Sequence, residues 1–204
     1  MKKFRITLLA ATLAMFTAGT VVTLNSCKKD PCEGETCNSH GTPTANGDKC
    51  SCACSAGYFG DKCSLECKNG GTSANGTSCT CATGYEGTNC ETEMRTKFIG
   101  TYSVVNSCLG SSAYSVTIST SSTSVDKVVM SNMGNSSWTA TGTISGSNIT
   151  LSGSATDATC GTITISGSGS LAGSALNLSG VTYNPSNTTA CSSLGPCTET
   201  GTKQ

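Results

Sequence analysis

The sequence predicts an all-β protein in which two small cysteine-rich modules precede an antiparallel β-sandwich or β-barrel. Three observations support this fold class: fifteen cysteines in 204 residues, a repeated cysteine motif in the first half, and alternation of apolar and polar residues after Lys97. Alternation with period two is typical of strands that bury one face. The predicted division of the chain is a leader over 1–26, a tether over 27–31, modules over 32–63 and 64–92, and a β domain over 93–204.

The leader has the layout of a secretory signal peptide. A basic start precedes an apolar stretch over Ile6–Phe16, and the Thr and Gly residues that interrupt it argue against a membrane-spanning helix. Leu24–Cys27 resembles a lipobox, which implies that Cys27 receives a diacylglyceryl group and acyl chains such as palmitate. Asn25 is not a favoured lipobox residue, so cleavage by an ordinary signal peptidase remains the alternative.

The residues after the lipobox bear on localisation. A lysine follows Cys27, whereas aspartate at that place is associated with retention in the inner membrane. Several acyl chains on one cysteine are sufficient for stable anchoring. We therefore expect a protein that is lipid-anchored at the outer membrane or cell surface, with the leaflet left open.

The cysteine count indicates disulfide bonds. If Cys27 carries lipid, fourteen cysteines remain, and they fall along the chain into groups of six, four and four. Each group is even and can pair within itself. Many cysteines behind a secretory signal are typical of an oxidising compartment.

Two segments of the first half repeat the pattern C-x-C-x8-C with Gly-Tyr-x-Gly inside it. They end in Cys54–Cys63 and Cys81–Cys90. The pattern resembles the end of an EGF-like module, and the segments after Cys37 and Cys67 are similar to the turn that follows the second cysteine of that family. Each copy also contains Asn-Gly, which predicts a type I′ hairpin turn.

The EGF-like resemblance implies a disulfide pattern of first to third, second to fourth and fifth to sixth cysteine. The second copy lacks the first and third cysteines together, so no thiol is left unpaired there. Modules of this size bury too little apolar surface to fold without such bonds. The implied pairs are Cys32–Cys50, Cys37–Cys52, Cys54–Cys63, Cys67–Cys79 and Cys81–Cys90.

Metal binding is the alternative use of closely spaced cysteines. The spacing is C-x-C rather than C-x2-C, and His40 is the single histidine of the chain, which disfavours zinc. Asp30 and Glu66 are the acidic residues just ahead of Cys32 and Cys67, too few ligands for calcium. We therefore expect no metal and no cofactor.

The second half reads as short strands separated by Gly, Ser and Asn clusters. Apolar residues alternate in Tyr114–Ile118, Trp138–Ile144 and Ile163–Ile165, among others, and no helical stripe appears. Phe98–Tyr102 at the start of such a meander resembles the lipocalin-like β domains of bacterial surface lipoproteins. Trp138 is in phase with apolar neighbours, so we expect it in the core.

The four cysteines of the β domain allow three pairings. We favour Cys108–Cys191 with Cys160–Cys197, because these bonds would tie strand ends and the tail to the sheet.

Composition restricts the function. The chain has twelve basic and twelve acidic residues, so no electrostatic case exists for nucleic acid. The β domain offers few titratable groups, Asp126 and Asp157 being the one conceivable carboxylate pair, so we expect no enzyme. The prediction is a non-enzymatic binding module for an unknown protein or glycan, with contacts at loops 132–137 and 183–189. The alternative is a carrier of a small apolar ligand inside a barrel.

Overall fold

A computed structural model of the chain describes residues 29–74 and 76–204. The predicted signal peptide (1–26) and the predicted lipidation site Cys27 lie outside the described residues. Within these ranges the chain is all-β, and no helix is long and apolar enough to cross a membrane. The strands of the amino-terminal part are β1 (Gly41–Asn46), β2 (Lys49–Cys54), β3 (Tyr58–Phe59), β4 (Leu65–Glu66), β5 (Tyr85–Glu86) and β6 (Thr92–Glu93).

The first module is built on the hairpin β1–β2. Asn46 pairs with Lys49, so the two residues of the turn are Gly47 and Asp48 rather than the predicted Asn46 and Gly47. Gly47 has a φ of 66°, and Asp48 keeps a negative φ. A glycine with positive φ at the first central position is the signature of a type II′ turn. The hairpin prediction is therefore confirmed, whereas the predicted turn type is wrong. The matching Asn-Gly of the second copy includes residue 75, which is not described.

The disulfides of the two modules follow the pattern implied by the EGF-like resemblance. The second module repeats the geometry of the first: Cys63 and Cys90, which close the C-x8-C loops, have φ values of 54° and 58°. The junctions repeat as well. The amide of Cys67 donates to the carbonyl of Gly57 (2.7 Å), and the amide of Met94 donates to the carbonyl of Gly84 (2.8 Å). The bonds formed are Cys32–Cys50, Cys37–Cys52, Cys54–Cys63, Cys67–Cys79 and Cys81–Cys90.

The carboxyl-terminal half is a closed barrel of eight antiparallel strands. Each strand pairs with the next along the chain, and the last strand pairs with the first, which removes both sheet edges. The sequence predicted either a β-sandwich or a β-barrel, and the structure is a barrel. Its strands are β7 (Gly100–Asn106), β8 (Tyr114–Thr120), β9 (Lys127–Met133), β10 (Trp138–Ser145), β11 (Asn148–Asp157), β12 (Gly161–Ala172), β13 (Ala175–Pro185) and β14 (Leu194–Lys203).

Side chains fill the interior of the barrel. The alternation predicted from the sequence is the observed pattern, since Val116 and Ile118 of β8 and Ile163 and Ile165 of β12 are buried while their neighbours are exposed. All eight strands contribute buried residues to one apolar cluster, β14 through Cys197, and β14 also buries Glu199. Eight strands leave an interior about wide enough for side chains.

One end of the barrel, here called the base, is closed by the segment that enters it. A 3-10 helix, Met94–Lys97, leads to Phe98, which is fully buried in the apolar cluster. The Arg95 guanidinium donates to the carbonyls of Ser121, Ser124 and Lys127 at 2.7, 3.0 and 3.3 Å. These bonds fix the β8–β9 loop to the helix.

The base also contacts the second module. Lys97 Nζ lies 3.0 Å from Glu86 Oε2, and the Met94–Gly84 hydrogen bond runs beside this ion pair. The modules therefore join the barrel at its base.

The pairing expected for the four barrel cysteines is wrong. The bonds are Cys108–Cys197 and Cys160–Cys191, not Cys108–Cys191 and Cys160–Cys197. Strand order is the physical reason: β14 pairs with β7, which places Cys108 beside Cys197. Likewise β12 pairs with β13, so the loops that carry Cys160 and Cys191 are neighbours.

Candidate functional site

The end of the barrel opposite the base, here called the mouth, is formed by loops 107–113, 134–137, 158–160 and 186–193. These loops are brought together because every second connection of an up-and-down barrel lies at the same end. Connections at the base are two residues long in two cases of three. The two longest loops, 107–113 and 186–193, lie at the mouth, and binding residues concentrate on loops held by a rigid scaffold.

A cavity of about 180 Å³ opens at the mouth. Its lining is mainly apolar, with Trp138 and Tyr183 side by side at a ring-centroid distance of 5.7 Å and an interplanar angle of 43°. The Cys160–Cys191 disulfide forms part of the wall. A concave apolar site with a few polar groups nearby is the usual form of a small-ligand pocket. The remaining lining residues are Ile163, Pro185, Ser192 and Leu194.

A buried polar cluster lies in the mouth half of the barrel. Glu199 on β14 is 1% exposed. Its Oε1 accepts hydrogen bonds from Asn106 Nδ2 (2.7 Å) and from the Tyr183 hydroxyl. Its Oε2 has no partner, and neither does the nearby buried hydroxyl of Tyr114. A buried polar atom without a partner is uncommon and calls for an explanation.

The cluster changes the acidity of its tyrosines. Burial raises the pKa of Tyr114 and of Tyr183, and the negative charge of Glu199 raises both further. Burial alone raises the pKa of Tyr102, deeper in the barrel. All three hydroxyls therefore stay protonated at neutral pH and act as neutral hydrogen-bond groups.

These raised pKa values predict loss of stability in alkali. Because the folded-state pKa of each tyrosine exceeds its unfolded value of about 10, their contribution to stability is complete below about pH 10 and is lost as the pH rises above it. A spectrophotometric titration of tyrosinate should show late ionisation of these groups that coincides with unfolding. Tyr183→Phe should remove one late-titrating group. Ionisation of all five tyrosines near pH 10 in the folded protein would contradict the burial argument.

Gly134 covers the cluster from the β9–β10 loop. It has a φ of 61°, and a Cβ at this position would lie 3.2 Å from the Tyr183 ring. A larger residue would therefore be strained in its backbone and would press on Tyr183. The loop therefore packs closely against the Tyr183 ring.

The structure separates some of the sequence-predicted residues and joins others. Asp126 lies in the β8–β9 loop at the base and Asp157 at the mouth end of β11, so they form no carboxylate pair. Hydrogen bonds from the amides of Cys160 and Thr159 lower the pKa of Asp157, which stabilises the β11–β12 turn. The predicted contact loops 132–137 and 183–189 both lie at the mouth.

The positions of one aromatic residue, Trp138, and one acidic residue, Glu199, were not fully predicted from the sequence. Trp138 points inward, in phase with Ala140 as predicted, and packs against the core. It is only partly buried, because it also lines the mouth cavity. Glu199 was not identified as a site residue. Its flanking sequence, Thr-Glu-Thr, has no apolar stripe that would have marked it as part of a strand.

Comparison with known proteins bears on the amino-terminal part. Residues 25–67 match the family model described as the SPE-9 third EGF-like domain. The first module is EGF-like. The match covers about a fifth of the chain, so it describes this module and not the barrel. Searches of curated proteins and of solved structures gave no match. An EGF-like module with many disulfides is typical of extracellular or secreted proteins.

Proposed function

We propose that the mature protein is a non-enzymatic binding protein of the outer membrane or cell surface, held there by a lipid on Cys27, that recognises a protein or glycan partner at the barrel mouth. The observation that carries this proposal is the cavity at the mouth, beside Trp138 and on the barrel end away from the modules. The EGF-like module supports an extracellular interaction role.

The order of the domains along the chain supports a role for the modules as a spacer and for the barrel mouth as the binding face. A lipid on Cys27 would place the first module next to the membrane. Two disulfide-stapled modules follow, and their repeated backbone contacts through Gly57 and Gly84 favour a spacer of defined geometry. Because the second module contacts the base, the mouth is the part of the barrel that such an arrangement leaves accessible.

The distribution of titratable groups supports binding rather than catalysis. The carboxylates of Asp126 and Asp157 lie at opposite ends of the barrel. Glu199 is buried against Asn106 and Tyr183. Acid–base catalysis needs two positioned groups with access to a substrate, and these separated carboxylates do not supply them.

The lipid anchor is tested by fractionation. The wild-type chain should partition with membranes, and Cys27→Ala should appear in the soluble fraction or remain uncleaved, because the thiol that accepts the lipid is missing. Ser26→Ala, a small-to-small change at the adjacent position, is the control and should stay in the membrane fraction. An intact mass showing an unmodified mature chain that begins elsewhere would contradict the anchor.

Binding at the mouth is tested by a screen of glycans and envelope components with the full chain, beside broad hydrolase assays. Trp138→Ala should weaken the binding found by at least about tenfold, since aromatic anchors dominate most interfaces. Leu65→Ala removes an exposed apolar side chain in the modules (43% exposed) and should leave binding unchanged. Turnover that disappears in Asp126→Asn or Asp157→Asn would overturn the non-enzymatic proposal.

A further inference from the structure

Charge is separated along the barrel axis. After residue 93 the basic residues are Arg95, Lys97, Lys127 and Lys203, and all four lie at the base. The four mouth loops contain no lysine or arginine. Glu199 and Asp157 are the acidic residues of the mouth half. Among the residues after 93, the mouth half of the barrel therefore carries acidic and no basic side chains, which favours a cationic ligand.

Glu199 strengthens this argument because it is a buried charge that no basic residue balances. Among the described residues, the groups around it are the neutral side chains of Asn106, Tyr183 and Tyr114. The first two donate to Oε1, and Oε2 accepts no hydrogen bond of good geometry. Removing a carboxylate from water costs free energy that hydrogen bonds to one oxygen offset only in part. A positive charge close to the cluster would complete the compensation.

The cavity offers aromatic faces for such a charge. Tyr183 belongs to both features, because its ring lines the cavity while its hydroxyl donates to Glu199. Trp138 lies beside it. Cations bind over the faces of Trp and Tyr rings within about 6 Å of the ring centroid. A cation in the cavity therefore meets two rings, and the hydroxyl of one of them is hydrogen-bonded to the carboxylate.

The size of the cavity restricts the ligand. Its volume of about 180 Å³ is close to the roughly 150 Å³ at which an apolar cavity accepts benzene. A single small ring or a short alkyl chain therefore fits inside the cavity.

We propose that the mouth cavity binds a small organic ammonium ion, with its apolar part among Trp138, Tyr183 and Leu194 and its positive charge balanced by Glu199. This inference rests on the proposed function for the mouth as the binding face, and it adds a small-molecule ligand that is separate from the protein or glycan partner.

The test uses Trp138 as the reporter, since it is the single tryptophan of the chain. The full chain, isolated in detergent with its disulfides intact, is titrated at neutral pH with benzylammonium chloride and, separately, with its neutral analogue benzyl alcohol. Sodium chloride at matched concentration controls for ionic strength. Benzylammonium should change the Trp138 emission saturably, with a Kd at least about tenfold below that of benzyl alcohol.

Two charge variants locate the effect. Glu199→Gln, nearly isosteric, should abolish the preference for the cation. Asp126→Asn removes the same charge at the base and should leave the preference intact. Near-UV circular dichroism shows whether Glu199→Gln folds. If it does not fold, the comparison of benzylammonium with benzyl alcohol on the wild-type protein tests the ammonium inference.

Equal binding of the two ligands would overturn the ammonium inference while leaving the mouth as a binding face. Absence of a saturable response to either ligand would overturn it too, and the screen with glycans and envelope components would then judge the proposed function separately.

Discussion

Replacing Cys108 and Cys197 together by serine is expected to lower the free energy of unfolding by about 4.5 kcal/mol, because this disulfide closes a loop whose ends are 89 residues apart. The bond joins the loop after the first strand to the last strand, where barrel closure depends on the longest-range pairing. Urea unfolding of the two forms, monitored by Trp138 fluorescence, measures the difference.

The matched control is the double serine variant of Cys160 and Cys191, whose loop spans 31 residues. The chain-entropy model predicts a loss smaller by about 1 kcal/mol for this pair. Non-reducing peptide mapping checks the connectivity itself. Peptides that join Cys108 to Cys191 would contradict both the bond and the strand order that explains it.

The substitution Phe98→Ala is expected to cost about 3–5 kcal/mol of unfolding free energy, as large aromatic truncations in a core do. Phe98 is fully buried at the base, and its carbonyl accepts a hydrogen bond from the Tyr102 hydroxyl at 2.9 Å. The cavity left behind would open the base just where the second module attaches.

Two control variants show whether the loss of stability comes from the lost packing of the Phe98 ring. Phe98→Leu keeps most of the volume and should cost less than about 1.5 kcal/mol. Leu109→Ala, at a side chain that is 44% exposed, should change stability by no more than about 0.5 kcal/mol. A Phe98→Ala variant as stable as Leu109→Ala would show that the base is not closed by this ring.

Much of the fold could be predicted because strand periodicity is local information. The inward positions of Val116, Ile118, Ile163 and Ile165 follow from two-residue alternation. The choice between sandwich and barrel could not be made from the sequence. Barrel closure depends on whether β14 pairs with β7, and the residue pattern within a strand does not indicate which strand it pairs with.

The disulfides illustrate the same limit. In the modules the family pattern supplies the pairing, and the structure forms the implied bonds. For the four cysteines of the barrel no family pattern was available. Their disulfide pairing depends on which strands are neighbours, and this is known only from the structure. Had a closed meander been assumed, Cys108 would have been placed beside Cys197 at once.

The candidate site was predictable in part. The loops at 132–137 and 183–189 were identified as polar projections, and the alternating topology brings both to the mouth. Glu199 was missed, because β14 carries Cys197, Glu199 and Gly201 on its inner face and so lacks the apolar signal of a buried strand. A buried carboxylate is visible only once the barrel is closed around it.

The central claim, that recognition takes place at the barrel mouth, is tested most directly by a backbone-amide NMR map of the full chain with the tightest binder from the screen. The account predicts that the largest chemical-shift changes fall in loops 107–113, 134–137, 158–160 and 186–193, together with Trp138. Changes confined to residues 32–92 would contradict it, because they would place recognition on the disulfide-rich modules and leave the barrel without the assigned role.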